Sequence, residues 1–114
     1  MSVTTTLHKA ADLIERWGLA HGQHVAITDE LDIQEAIWRA ATNTSQAYYW
    51  KCRQRDEMII TLDQHNKYRW AIITFRNWLK AQGEEDQPAL WGDAHNTEEV
   101  VAALRACAES DRKD

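Results

Sequence analysis

From Leu90 to Leu104 the chain reads, without a break, as an apolar anchor, a tight polar turn and a capped helix. Asn96 or Thr97 can accept a hydrogen bond from an orphan amide of the first helical turn. Asn96 and Glu99 also stand at the spacing of a reciprocal capping box. A helix entered this way has a defined start and one apolar face, here Val100, Val101, Leu104 and Cys107 or Ala108, that other elements must cover. The stretch predicts a packed helix over about 97–109 and gives Trp91, Gly92 and Asp93 structural parts. Trp91 is expected beneath the helix, Gly92 to relieve the turn, and Asp93 to bond amides near His95 to Thr97.

The remaining patterns are helical as well. Leu7, Ala10, Ala11, Ile14 and Trp17 form one stripe, which predicts a helix over about 6–17 ended by Gly18. Asp32 is placed to cap a helix over about 33–42, with Glu35 closing the box and Ile33, Ala36, Ile37, Ala40 and Ala41 facing inward. Residues 46–57 carry no Gly or Pro and can be helical; Met58 to Leu62 is β-branched enough to read as a strand or as a helix end, and one helix reaching about residue 61 is the preferred reading. Asp63 is expected to cap the longest helix, about 64–82, whose Tyr68, Ala71, Ile72, Phe75, Trp78 and Leu79 trace a seam at helical spacing. Gly83 ends it, and an acidic loop closed by Pro88 follows. His24 to Thr28 alternates weakly, so one short extended element is expected near residue 25. The fold class is mainly α: a compact bundle of four to five helices in a single domain over 1–114, with 110–114 a frayed tail.

Composition narrows the functions such a bundle can serve. A net charge of −5, from 18 acidic and 13 basic residues, lacks the basic footprint of a non-specific nucleic-acid binder. Lys51, Arg53 and Arg55, beside Tyr48, Tyr49 and Trp50, are the one compact basic candidate, and Asp56 and Glu57 follow at once. Cys52 and Cys107 match neither a metal spacing nor a redox motif, and with no signal-like N-terminus they point to a reduced, cytoplasmic protein. No apolar run reaches the ~20 residues that span a bilayer.

Catalytic chemistry has little footing. No GxSxG, P-loop, GxGxxG or HExxH occurs, and no metal or cofactor pattern is complete. An enzyme or small-ligand site would have to gather His21, His24, Asp93 and His95 from two distant segments. The six tryptophans are the outlier. Trp17, Trp78 and Trp91 are expected in the core. Trp38, Tyr48, Tyr49, Trp50, Trp70 and Ile73 lie off the main stripes and form the expected partner-binding set, because Trp, Tyr and Arg are enriched at interface hot spots.

Three blocks carry a family resemblance. They are Lys9 to Glu15 ending at Trp17-Gly18 and Gly22, Leu31 to Ala41, and Leu90-Trp91-Gly92-Asp93 joined to Asn96-Thr97-Glu98-Glu99-Val100. Together they resemble a family of small uncharacterised actinobacterial and actinophage proteins, a domain of unknown function. The resemblance implies a helical domain and transfers no catalytic residue.

The reading that follows is a non-enzymatic protein–protein interaction module of actinobacterial or phage origin. Its alternatives are the His/Asp enzyme or ligand site and a nucleic-acid-binding regulator using Lys51, Arg53 and Arg55. Because the 64–82 helix is apolar on a second side at Trp70 and Ile73, a homodimer with Trp70 near its centre is also expected.

Overall fold

The computed structural model describes residues 3–18 and 32–113. Its elements are α1 (Val3–Trp17), α2 (Ile33–Thr42), α3 (Gln46–Arg53), α4 (Leu62–Ala81), α5 (Pro88–Asp93) and α6 (Thr97–Lys113). The described residues contain no strand, and the extended element expected near residue 25 lies outside them.

Small residues let the two terminal helices approach closely. Leu7, Ala10, Ala11 and Ile14 of α1 join Val100, Leu104, Cys107 and Ala108 of α6 in the buried core. Ile33, Ala36 and Ile37 of α2 and Ala71, Phe75 and Leu79 of α4 complete it. Burying a side chain such as Phe75 or Leu104 contributes about 1.5–3 kcal/mol, so this mutual face accounts for most of the fold's stability. Outside it, Arg105 of α6 reaches Asp12 at 2.9 Å and Glu15 at 3.2 Å on α1, an exposed clasp that sets register more than strength. Burial makes the thiol of Cys107 inert by pushing its pKa up to about 12.

Caps explain where most helices begin and end. Asp32 accepts from the Glu35 amide at 2.6 Å, and α2 occupies the predicted residues. Asn96 and Glu99 make both bonds of the capping box, at 2.8 and 3.0 Å. Gly18 and Gly83 take the positive φ expected of helix-ending glycines.

Several expectations need correction. The segment 46–61 is not one helix: α3 stops at Arg53 because Asp56 adopts φ 59°, with its amide donating to the Arg53 carbonyl and the Glu57 amide to Cys52. This pair of bonds closes the helix end with the left-handed geometry that glycine usually supplies. The cap of α4 is Thr61 and not Asp63; Thr61 and Gln64 exchange both bonds of a capping box. Asp63 sits one residue inside, paired with Lys67 at 3.7 Å. Leu90 to Asp93 is helical and not a turn, since Pro88 occupies the first position of α5, where its missing N–H costs nothing. Gly92 has no positive φ; a Cβ there would meet Ile33 Cδ1 at 2.9 Å, so the glycine serves close packing of α5 on α2. At the other end α6 continues through Ser110 to Lys113, and Asp111 accepts from the Thr4 hydroxyl at 3.1 Å.

Trp17 is a further correction. As the last residue of α1 it is 43% exposed, beside the guanidinium of Arg16 at 5.2 Å, rather than in the core. Trp91 is buried as expected and Trp78 is packed against the core.

Candidate functional site

The aromatic residues expected to meet a partner divide into a buried group and an exposed one. Trp38 is only 5% exposed, which removes it from any docking surface. Its ring is enclosed by Tyr49 at 5.1 Å and Tyr68 at 5.0 Å, both edge-on, with His65 at 6.5 Å. A residue that leaves the stripe of its own helix is buried here because α3 and α4 supply the cover.

What holds α3 in that position is a carboxylate. Glu35 on α2 is 2% exposed and accepts from the Gln46 amide through both oxygens, at 2.9 and 3.3 Å. It therefore caps the next helix and does not turn back to close the box with Asp32. Arg39, one turn along α2, stands 3.7 Å from the same carboxylate. Ser45 supplies the second cap of α3, accepting from the Tyr48 amide at 3.0 Å. With its start fixed twice, α3 directs Cys52 inward and Tyr48 and Trp50 outward.

A groove of about 410 Å³ opens between α3, the connection to α4 and the first turn of α4. Tyr49, Met58, Ile60, Thr61, Leu62 and His65 line it. Two of its lips are strongly exposed, Met58 at 59% and Leu62 at 77%, while Ile60 is buried at its base. Trp50 stands beside Tyr49, ring centroids 5.2 Å apart, and is 62% exposed. The exposed Tyr48 hydroxyl titrates above its ordinary value, first because it is hydrogen-bonded to the Cys52 thiol. Sequence reasoning found Tyr48, Tyr49 and Trp50 but missed Met58, Leu62 and His65. The signal was present in the apolar run Met58-Ile59-Ile60-Thr61-Leu62, which reads as a strand or a helix end until Asp56 is seen to break α3.

Trp70 and Ile73 lie on the outer face of α4, both exposed, away from the seam that packs inward. Lys51, Arg53 and Arg55 are exposed at the end of α3 and in the turn after it.

Of the His/Asp set, only Asp93 and His95 lie among the described residues. His21 and His24 lie outside the described residues. Asp93 is the exposed last residue of α5. His95 stacks on Trp91 with centroids 4.1 Å apart, and its Nδ1–H donates to the Trp91 carbonyl at 2.6 Å. That geometry uses the ring to close α5. Among the described residues no three His, Cys, Asp or Glu side chains converge as metal donors, and no helix is long and apolar enough to cross a membrane.

Compared with known proteins, residues 1–110 match the model of a family described as "Family of unknown function (DUF6197)". No curated protein and no solved structure matches the chain.

Proposed function

We propose, from the premise that the chain belongs to the DUF6197 family of unknown function, that it is a non-enzymatic module that docks another protein. The observation that carries this reading is the apolar groove of Tyr49, Met58, Ile60, Leu62 and His65, flanked by an exposed Trp50. Isolated apolar side chains on a surface need no explanation, but a groove with aliphatic lips and a neighbouring indole is what a partner's anchor residue fills. The resemblance of the Trp91-Gly92-Asp93 segment supports an actinobacterial or phage origin. Two unbonded, buried cysteines support a cytoplasmic setting.

The test compares the parent with a Trp50→Ala, Leu62→Ser variant as baits in a lysate of the source organism. Both positions are exposed, so stability should change by about 0.5 kcal/mol or less per site. The parent is expected to retain a protein that the variant loses, since removing a hot-spot tryptophan costs about 2 kcal/mol or more of binding. Equal recovery by the two baits, or nothing recovered by either, would contradict the docking role.

A homodimer is favoured by a separate observation, the joint exposure of Trp70 and Ile73 on one side of α4. Pairing of two such faces about a two-fold axis would cover them and place Trp70 near the centre. Sedimentation at micromolar concentration should give the mass of two chains, and Trp70→Ala should shift it toward one. A single-chain mass for both proteins would overturn the dimer.

A further inference from the structure

We propose that the segment seated in the groove is acidic: a short stretch of a partner protein with apolar anchors set among Asp and Glu. The inference rests on the docking role and adds the chemistry of the partner.

Charge is segregated along this chain. Residues 46–82 contain seven Lys or Arg against three Asp or Glu, a net +4, whereas the whole chain carries −5 and the remainder therefore −9. Of the large hydrophobics exposed among the described residues, Tyr48, Trp50, Met58 and Leu62 lie in or beside the groove, in the same stretch as Lys51, Arg53 and Arg55.

Four cations near the groove are also left available, although farther along the segment Lys67 pairs with Asp63 and Arg76 with Asp86. Elsewhere Arg105 is engaged by Asp12 and Glu15, and Arg39 by Glu35. Around the groove, Lys51, Arg53, Arg55 and Arg69 are exposed, and among the described residues none of them pairs with a carboxylate. Arg53 lies one turn beyond Tyr49 on α3, and Arg69 one turn beyond His65 on α4, so both walls of the groove continue into positive charge. The local acids are Asp56, Glu57 and Asp63, the last of which is taken by Lys67.

Nucleic acid fits this surface less well. Strand binding relies on stacking platforms and a continuous basic track. Here the groove's exposed lips are the aliphatic Met58 and Leu62, and Asp56 and Glu57 interrupt the basic run. A short acidic segment feels mainly charges within about 10 Å, the screening length at 0.1 M salt. A long polyanion would also meet exposed acids outside this segment, among them Glu84, Glu85, Glu98 and Glu99. Two copies meeting groove to groove would set Lys51, Arg53 and Arg55 against their own counterparts, which is repulsive.

The experiment selects short random peptides, displayed on their own mRNA, against the parent chain with counter-selection on Trp50→Ala. Labelled oligothymidylate is titrated in parallel. Enriched peptides should carry net negative charge around apolar residues. Their binding should weaken about tenfold or more from low to high salt, and similarly on Arg53→Glu with Arg55→Glu. Trp50-dependent peptides that are neutral or basic would overturn the acidic partner while leaving the docking role intact. No Trp50-dependent peptide at all would overturn both. Oligothymidylate binding more tightly than the peptides, and weakened by Trp50→Ala, would replace the acidic segment with nucleic acid.

Discussion

Replacing Trp91 by alanine should lower the unfolding free energy by about 3–5 kcal/mol, the usual cost of truncating a large core aromatic. Trp91 is 5% exposed, meets Phe75 edge-on at 5.9 Å and stacks on His95 at 4.1 Å. Its helix, α5, has six residues and cannot persist by its own hydrogen bonds. It is held by what Trp91 and Gly92 bury against α4 and α2. The loss should therefore exceed the transfer energy of one indole, because the His95 stack and the seat of α6 loosen with it. Urea denaturation measures the effect as a lower midpoint with little change in slope. A midpoint equal to that of the parent would remove Trp91 from the core.

Glu35→Ala should cost about 2–4 kcal/mol, since it leaves a buried amide without its acceptor and a cation without its counter-ion. The Gln46 amide loses both carboxylate contacts. The Arg39 Nε that faces Glu35 is buried, but its side chain is 40% exposed overall, so part of the guanidinium keeps water and the loss stays below that of a fully buried pair. The local consequence is more specific than the global one. An eight-residue helix depends on its anchors, so α3 should detach first and uncover Cys52, now 3% exposed. Denaturation and the rate of Cys52 labelling by a thiol reagent read the two effects separately. Glu35→Gln keeps one oxygen able to accept from Gln46 and should lose about half as much. Parental stability together with continued protection of Cys52 in Glu35→Ala would show that the carboxylate does not hold α3.

How much of this was legible in the sequence depended on whether the deciding interaction was local. The boundaries of α2 and the start of α6 were legible because Asp32, Asn96 and Glu99 act within three residues of where they stand. The inward seam of α4 was legible because periodicity records it directly. Glu35 also has the spacing of a local cap, yet it bonds an amide eleven residues away, and nothing in spacing distinguishes the two outcomes. Asp56 ended α3 in a left-handed conformation more often taken by glycine, which hid the connection that lines the groove. Trp38 was misplaced for the same reason. Its cover comes from Tyr49 and Tyr68, on two other helices. Of the candidate surface, the aromatic half was visible as composition and the aliphatic half emerged only with the turn.

The docking claim is tested most directly by following the tryptophan indole N–H signals in a two-dimensional NMR spectrum. The probe is a Trp50-dependent peptide, added to the parent chain until binding saturates. The Trp50 signal, beside the groove, should shift strongly, while Trp91 and Trp78, packed in and against the core, should stay in place. A Trp50 signal that does not move while Trp91 or Trp78 does would contradict the account, because the peptide would then be binding elsewhere on the molecule.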